Sequence, residues 1–461
     1  MLKRVLVANR GEIALRIIRE CLDRSIETVA IYSTEDKDAL HVLLANQAVC
    51  VGDAPPSESY LNADNIIEAA LGTGCDAIHP GFGFLSENSE FAALCEENGI
   101  KFIGPSAKVI RQMGNKSSAR SLMEKAGVPT VPGSCGAVKS LDEAGKIASD
   151  IGFPILIKAS AGGGGRGMRR ADSESEVAGA FDEAKAEARA AFGDDTVYIE
   201  KLIENPRHIE VQILSDSFGN TIHLGERNCS IQRKNQKMLE EAPAFGFNQS
   251  LREKICSAAV RAAKICGYES AGTVEFVLDK DNNFYFIEMN TRIQVEHPVS
   301  EMVTGVNLVA EQLRIASGLP LNLKQEDIEI KGHAIECRIC AEDPLNNFSP
   351  SPGKVEFVHF PGGNGIRVES ALYSGCKISP YYDSMAAKVI VYGETRIEAV
   401  RRMRRALEET IIRGVDTTLT LQYLILFNKA FLRGGYDTSF IQKEQKNLIG
   451  LIETASKIRG E

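Results

Sequence analysis

Two glutamates in neighbouring segments have the residue type and spacing of a divalent-metal site. The run FYFIEMN predicts a buried strand, and alternation along it places Phe286, Glu288 and Asn290 on one face. Glu275 lies in a second strand-like run, AGTVEFVL, and the turn residues 280–283 predict that the two runs pair as a hairpin. Because a buried carboxylate without a partner is costly, Glu288 needs a cation or a hydrogen-bond donor, and the hairpin would bring Glu275 to face it. Oxygen ligands favour magnesium over zinc, and the alternative is a surface hairpin with two solvated acids.

The same stretch continues with residues suited to hold and deprotonate a small anion. Arg292 offers a planar fork of donors that fits a carboxylate, a carbonate or a phosphate. Glu296 follows closely and is a candidate base for a proton carried by that anion. An arginine and a glutamate at this spacing are more often a simple salt bridge, but a neighbouring metal pair favours the functional interpretation.

A lysine followed by a glycine run predicts a nucleotide lid. The strand pattern PILIKA carries Lys158 near its end, and the loop SAGGGGRGM, residues 160–168, follows at once. Such a loop leaves its backbone N–H groups free to wrap an anion, although a flexible loop without a ligand is the alternative. Its G-x-G-x-x-G match is weak, because no helix pattern begins there. Lys116 opens a predicted helix whose N-terminus suits a phosphate, whereas a lone lysine is more often solvated.

Further polar side chains fall on predicted strands around these groups. The segment PRHIEVQIL alternates, with His208, Glu210 and Gln212 on one face. A dense run of Arg, Lys and Gln follows, and a continuous sheet would bring Gln232 and Lys237 near the carboxylate pair. The strand pattern HAIECRIC then carries Glu336 and Arg338 near its middle, and its Cys-x-x-Cys pair is expected to be structural.

Length and composition limit the classes of protein that are possible. A chain of 461 residues predicts two or three domains, and early strand–helix alternation predicts a parallel α/β domain without a dinucleotide fingerprint. The net charge of −9 argues against general nucleic-acid binding, and no apolar run predicts a membrane span. The N-terminus lacks a signal-peptide pattern, and eleven scattered cysteines suit a reduced, cytoplasmic protein.

Five motifs in order resemble the ATP-grasp superfamily and specifically the biotin carboxylase family. They are ANRGEIALR at Ala8, HPGFGFLSEN at His79, KASAGGGGRGM at Lys158, PRHIEVQ at Pro206 and EMNTRIQVEHP at Glu288. The resemblance implies an N-terminal parallel α/β domain, an ATP-grasp lid, and an ATP-grasp core with a C-terminal α+β extension. The expected divisions are residues 1–113, 114–203, 204–446 and a tail at 447–461.

The resemblance also implies a reaction and a set of site residues. The family joins bicarbonate to ATP, forming carboxyphosphate and ADP, and then carboxylates N1′ of biotin. The implied ATP pocket comprises Lys116, Lys158, Glu200, Lys201, Ile203, His208 and Gln232, with Gly163, Gly164 and Met168 in the lid. The implied ligands of magnesium or manganese, which lies between the ATP phosphates, are Glu275, Glu288 and Asn290. Bicarbonate would be held by Arg292, Gln294 and Val295, with Glu296 as base, Lys237 near carboxyphosphate and Arg338 stabilising the biotin enolate.

One position departs from the family pattern. The family usually has a histidine before the Gln-Lys pair that contacts the nucleotide, and Asn235 stands there in this chain. An amide still donates to a ribose hydroxyl but carries no charge. The departure therefore bears on ATP affinity rather than on the class of reaction.

The resemblance further implies partners. A biotin-accepting domain carries Met-Lys-Met, which does not occur in this sequence, so biotin is expected on a separate biotin carboxyl carrier protein. Carboxyltransferase subunits and a homodimer are also expected, within an acetyl-CoA carboxylase of fatty acid biosynthesis or a two-subunit pyruvate carboxylase. Two other functions stay open: another ATP-grasp carboxylate–amine ligase, and a nucleotide-binding protein without chemistry. The ligase is disfavoured by the anion-binding set Arg292, Gln294 and Glu296 together with Arg338. The protein without chemistry is disfavoured by the presence of Glu275, Glu288, Glu296 and Lys237.

Overall fold

The computed structural model describes residues 1–134, 136–159 and 168–459. Its first part is a five-stranded parallel sheet in the order β3-β2-β1-β4-β5, flanked by helices. The elements are β1 (Arg4–Val7), α1 (Gly11–Asp23), β2 (Glu27–Ser33), α2 (Leu40–Leu44), β3 (Gln47–Gly52), α3 (Ala63–Gly72), β4 (Ala77–His79), α4 (Ser89–Glu97), β5 (Lys101–Phe102) and α5 (Ala107–Gly114). The predicted parallel α/β domain is confirmed.

The second part is a small α/β unit with a core of its own. Its three strands are antiparallel in the order β7-β6-β8, and apolar residues of both neighbouring helices cover them. The elements are α6 (Lys116–Lys125), which leads into it, α7 (Leu141–Ile151), β6 (Ile155–Ala159), β7 (Met168–Ala171), α8 (Glu174–Phe192) and β8 (Val197–Lys201). The backbone of Gly133 pairs with Glu200 where this unit joins the rest of the chain.

An eight-stranded antiparallel sheet joins the middle part of the chain to the C-terminal part. Its strand order is β13-β12-β9-β10-β11-β14-β21-β19, where β19 is Ile366–Ser370 and β21 is Met385–Gly393. Its long strands hold the polar faces predicted above on one surface, because side chains alternate along each strand. The elements up to β14 are β9 (Arg207–Ser215), β10 (Thr221–Arg233), β11 (Gln236–Ala242), α9 (Gln249–Cys266), β12 (Ser270–Leu278), β13 (Phe284–Asn290), α10 (His297–Thr304), α11 (Leu308–Ala316) and β14 (His333–Cys340).

The hairpin of β12 and β13 is confirmed, and Glu275 lies directly opposite Glu288. The register shifts between Glu275 and Phe276, so that Ile287 is an extra residue in β13. Phe286 and Met289 consequently both pack into the core. The prediction that Phe286 shares a face with Glu288 was therefore wrong, since a bulge breaks the simple alternation.

The C-terminal part adds short strands and a helical layer to the central sheet. Its elements are β15 (Glu342–Asp343), β16 (Ser349–Pro350), β17 (Gly353–Lys354), β18 (Phe357–His359), β19 (Ile366–Ser370), β20 (Lys377–Ile378), β21 (Met385–Gly393), α12 (Arg396–Glu409), β22 (Ile411–Arg413), α13 (Leu419–Ile425), α14 (Lys429–Arg433) and α15 (Phe440–Arg459). Within the described ranges, no helix combines the length and apolar character needed to cross a bilayer.

The predicted tail at 447–461 needs correction over most of its length. Residues 447–459 continue helix α15, and Leu448 and Ile452 are buried in the C-terminal core. Lys446 and Glu453, which flank this apolar stretch, are exposed, and the charged residues around it hid the helical spacing of the apolar ones. The other domain boundaries remain predictions.

Candidate active site

Lys237 lies at the centre of a buried cluster of acids. Its Nζ donates to Glu210 at 2.5 Å, to Glu275 at 2.9 Å and to Glu296 at 2.6 Å. Burial alone would lower the pKa of Lys237, but the three carboxylates raise it well above its usual range. The predicted proximity of Lys237 to the carboxylate pair is confirmed, and the lysine is held fully charged.

Arg227 crosses the same surface from β10 and is fully buried. Its guanidinium donates to Glu210 at 2.6 Å, to Gln212 at 2.6 Å and to Gln294 at 2.7 Å. The amide of Gln294 in turn donates to Glu275 at 2.8 Å. Arg227 was not predicted as a site residue, because it lies in a dense run of charged residues. The position of that run between two predicted strands was the available signal.

The carboxylate pair has the donor chemistry of a divalent-metal site. Asn290 Nδ2 donates to Glu275 at 2.8 Å, and His208 Nε2 lies 3.0 Å from the other oxygen of the same carboxylate. Glu288 lies on the exposed side of the hairpin, and the negative charge of Glu275 raises its pKa. Two facing acids that repel each other fit a divalent cation, because the ion would remove that repulsion.

His208 is charged in this setting. Burial opposes its protonation, but the neighbouring carboxylates of Glu275 and Glu210 together raise the pKa of His208 to about 9. The predicted shared face of His208, Glu210 and Gln212 is confirmed, because Glu210 lies 3.6 Å from His208 and shares the Arg227 guanidinium with Gln212.

Arg292 is oriented by an acid from the N-terminal domain. Its Nε donates to Glu87 at 2.9 Å, and its Nη2 donates to Asn290 Oδ1 at 3.0 Å. Glu87 also accepts from the backbone N–H of Thr291 at 3.0 Å. Among the described residues, Arg292 therefore pairs with Glu87 rather than with Glu296, and the simple salt bridge between Arg292 and Glu296 is not formed.

Arg338 and a second buried lysine complete the cluster. Arg338 lies 2.6 Å from Glu240 through Nε and donates to Glu296 at 2.9 Å through Nη2. Lys388, opposite Arg338 on β21, donates to the backbone carbonyl of Val295 at 2.8 Å. Glu240 and Lys388 were not predicted, because nothing in the sequence shows which distant strands become neighbours in the sheet.

A cavity of about 350 Å³ lies between the small unit built on β6, β7 and β8, called the lid unit below, and the hairpin of β12 and β13. Of the predicted nucleotide residues, those that line it are Lys116, Lys158, Glu200, Lys201, Ile203 and Glu288. Lys158 and Arg120 both pair with Glu200, at 2.5 Å and 3.2 Å. Arg120 and Tyr198, which also line the cavity, were missed.

The remaining predicted nucleotide residues lie outside the lining of this cavity or outside the described ranges. Gln232 is half-buried opposite Lys237 in the β10–β11 ladder, and His208 and Glu275 belong to the buried cluster. Met168 is exposed at the start of β7. Gly163 and Gly164 lie outside the described residues.

Asn235 has a backbone reason for its identity. It forms the two-residue turn between β10 and β11 with Lys234, and the φ angles of Lys234 and Asn235 are 50° and 65°. A hairpin turn with two such residues favours asparagine over most side chains. Asn235 is exposed at this turn, and its nucleotide contact remains a prediction.

Comparisons with known proteins cover nearly the whole chain. Residues 1–110 match the family model for the biotin carboxylase N-terminal domain, and residues 336–443 match that for the biotin carboxylase C-terminal domain. Residues 115–324 match the ATP-binding domain of the carbamoyl-phosphate synthase L chain. Together the three family models cover the N-terminal, middle and C-terminal parts of the chain, including the residues of the candidate site.

Individual relatives agree with the domain matches. The chain is 55% identical to biotin carboxylase 1 of Bacillus subtilis, over 96% of this chain and 98% of that protein. It is 52% identical to a pyruvate carboxylase subunit of Methanothermobacter thermautotrophicus, over 97% of this chain and 91% of that protein. The biotin carboxylase domain dimer of Hydrogenobacter thermophilus 2-oxoglutarate carboxylase, solved with MgADP, ADP and bicarbonate, superposes with a TM-score of 0.92 at 53% identity, covering 97% of this chain and 99% of that one. This chain belongs to the biotin carboxylase family.

Proposed function

We propose that this chain carboxylates N1′ of biotin, using ATP and bicarbonate through a carboxyphosphate intermediate. The observation that carries the proposal is the position of Glu296. Lys237 lies 2.6 Å from one of its oxygens and Arg338 lies 2.9 Å from the other. A carboxylate between two cations, beside a pair of metal-type acids, is suited to accept a proton where anionic intermediates form.

ATP would bind in the cavity between lid and hairpin. Lys158 and Lys116 supply positive charge for its phosphates, and the segment from Glu200 to Ile203, at and just after the end of β8, supplies a wall of the pocket. A magnesium or manganese ion held by Glu275 and Glu288, with Asn290 nearby, would neutralise further phosphate charge. Phosphoryl transfer depends mainly on positioning and charge neutralisation, and the residues present suit both.

Bicarbonate would bind next to Glu296, on Arg292, Gln294 and the Val295 segment. Its oxygen attacks the γ-phosphorus of ATP, the bond to ADP breaks, and Glu296 takes the bicarbonate proton. Burial and nearby Glu210 disfavour the charge on Glu296, but Lys237 and Arg338 outweigh them and lower its pKa. Glu296 is therefore ionised and ready to accept a proton.

Biotin would react beside Arg338. N1′ loses its proton, which the departing phosphate takes up, and attacks the carboxyl carbon as the bond from that carbon to the phosphate oxygen breaks. Loss of the N1′ proton places negative charge on the ureido oxygen, which needs a fixed cation. Arg338 is fixed by Glu240 and Glu296, and Lys237 lies on the other side of Glu296, near the expected carboxyphosphate. This arrangement supports the two roles carried over from the family resemblance.

We also propose a homodimer that serves a biotin carboxyl carrier protein and carboxyltransferase subunits. The dimeric 2-oxoglutarate carboxylase domain supports the oligomer. The proposed complex is an acetyl-CoA carboxylase, and the relative named as a pyruvate carboxylase subunit supports a two-subunit pyruvate carboxylase as the alternative.

ADP release, measured with and without free biotin and each time with and without bicarbonate, tests the reaction. The proposal expects release that requires bicarbonate and accelerates with biotin. A carboxylate–amine ligase would respond to neither, and a nucleotide-binding protein without chemistry would release no ADP. Either result would overturn the proposal.

A further inference from the structure

One buried carboxyl group beside the proposed active site lacks a counter-ion. Glu336, in the middle of β14, is 0% exposed, and neither of its side-chain oxygens has a hydrogen-bond partner among the residues that the structure describes. It lies directly opposite Glu240 on β11 and opposite Ile390 on β21. Within the described part of the chain, the other buried acids of this cluster each have an ion pair, which sets Glu336 apart.

The cations near Glu336 are already engaged. Arg338 lies 2.6 Å from Glu240 and 2.9 Å from Glu296. Lys388 lies 3.0 Å from Glu12 of helix α1 and donates to the Val295 carbonyl at 2.8 Å. The buried cluster around Arg338 and Lys388 thus contains more acidic than basic side chains. Among its described residues, Glu336 is the acid without a basic partner.

Helix α10, which packs on the same strand, supplies no further positive charge. Burial, with Lys388 and Arg367 nearby, lowers the pKa of His297 well below its usual range, so its imidazole is neutral. Glu301, the other titratable group on this helix that faces the cluster, is paired with Arg16 and Arg367, at 3.3 Å and 2.7 Å.

We propose that Glu336 is a neutral carboxylic acid in the folded protein and that its neutrality leaves Arg338 shared between Glu240 and Glu296 alone. An isolated buried carboxylate is far less stable than its protonated form. Burial raises the pKa of Glu336 well above its usual range, and the charge of Glu240 raises it further. Burial likewise raises the pKa of Glu240, to about 7.

The proton on Glu336 has a consequence for Arg338. An ionised Glu336 would attract the guanidinium of Arg338 away from Glu296. It would also add negative charge beside Glu296, the proposed base. Glu336 is therefore a positioning residue, which acts on biotin chemistry through Arg338. This consequence rests on the proposed role of Arg338, whereas the protonation of Glu336 does not.

Infrared difference spectroscopy tests the protonation directly. The wild-type protein at neutral pH is expected to show the carbonyl stretch of a buried protonated carboxyl group, shifted in heavy water, and Glu336→Gln is expected to lose it. Glu241→Gln serves as the matched control, because Glu241 is the next residue after Glu240 and is equally buried but is paired with Arg396 at 2.7 Å. Identical spectra for wild type and Glu336→Gln would overturn the proposal, even if Glu241→Gln fails to fold.

The pH profile of biotin carboxylation tests the positioning role. The amide in Glu336→Gln imitates the neutral acid, so its turnover with biotin should persist to higher pH than that of the wild type. An unchanged alkaline limb, with turnover reduced equally at every pH, would show that Glu336 only supports the fold and would overturn the positioning role. If the wild type shows the carboxyl band but no biotin-dependent turnover, the proposed function fails instead of the protonation.

Discussion

Glu275 and Glu288 lie directly opposite each other on β12 and β13, but only Glu275 is tied into the buried cluster. Glu275 receives hydrogen bonds from Lys237, Asn290 and Gln294. Glu288 lies on the exposed side, on the wall of the proposed nucleotide cavity. The two acids thus offer the same type of metal ligand in different surroundings. Substituting them should therefore change the stability of the protein to different extents.

Glu275→Gln and Glu288→Gln should each weaken magnesium-dependent ATP cleavage. The apparent magnesium affinity should fall by about tenfold or more, since even the loss of groups that only support metal ligands costs this much. Titration of ATP cleavage with magnesium measures the effect. Glu275→Gln should also lower thermal stability, because three donors lose a charged acceptor, whereas Glu288→Gln should not.

The exposed Glu253 on helix α9 gives the control for this pair of variants. Glu253→Gln removes the same charge from an exposed helix position outside the acidic pair and should leave the magnesium titration unchanged. Wild-type magnesium dependence in both hairpin variants would contradict a metal site at this pair.

Glu296→Ala should abolish bicarbonate-dependent turnover while ATP still binds. A general base contributes about 10²- to 10⁴-fold, and a loss of this size is expected in kcat. Glu296 contacts Lys237 and Arg338, whereas the cavity is lined by other described residues. Fluorescence or calorimetric titration with a non-hydrolysable ATP analogue measures binding, and a parallel loss of affinity would place Glu296 in the nucleotide site instead.

The local parts of this site could be predicted from sequence, because each depends on a short pattern. The hairpin of Glu275 and Glu288 follows from two apolar runs and a polar turn, and the shared face of His208 and Glu210 follows from alternation. The extra residue Ile287 could not be predicted, since a bulge leaves no mark on composition.

The long-range parts could not be predicted, because they depend on which strands become neighbours. Glu240 and Lys388 meet Arg338 only after β11, β14 and β21 align in one sheet. Glu87 reaches Arg292 only after the N-terminal domain packs on the hairpin. Helix α15 was missed because its charged face dominates the composition of the last residues, although Leu448 and Ile452 keep a helical spacing.

Gly133→Ala should disturb the entry to the lid and weaken ATP binding. A Cβ at Gly133 would lie 2.3 Å from the Ile199 carbonyl oxygen and 3.0 Å from the Glu200 Cα, so β8 would have to move. Glu200, Lys201 and the rest of that cavity wall would shift with it. The KM for ATP should rise by about tenfold, which corresponds to ~1.4 kcal/mol of lost binding.

Gly145→Ala is the matched control within the same unit. Gly145 lies in helix α7, and a Cβ there meets no atom within 4 Å. The alanine should stabilise the helix by about 0.5–1 kcal/mol and leave the KM for ATP unchanged. Equal effects of the two substitutions on KM would show that the Gly133 contact is not what shapes the cavity.

Glu241→Gln should destabilise the protein by a similar amount at every pH from about 5 to about 8. Glu241 is paired with Arg396 and His333, at 2.7 Å and 2.8 Å. Burial opposes its charge, but these partners lower the pKa of Glu241 to about 2. Its contribution is therefore fully present above the usual value of 4.5 and is lost only as the pH falls toward 2. Thermal unfolding should show a loss of about 3–5 kcal/mol, as for other broken buried pairs, and a loss that vanishes at neutral pH would contradict this pairing.

Glu336→Gln should show the opposite pH dependence, because the pKa of Glu336 is raised above the usual value of 4.5 rather than lowered. The wild-type chain must then take up a proton on folding whenever the pH exceeds that value. The stability that the neutral carboxyl group contributes is complete below it and is lost as the pH rises, by about 1.4 kcal/mol for each pH unit until the folded-state pKa is reached. The glutamine variant takes up no such proton on folding. Its melting temperature should therefore rise steadily relative to that of the wild type between about pH 5 and about pH 8. Parallel stability curves for the two proteins over this range would mean that Glu336 is ionised in the fold and that a cation compensates it.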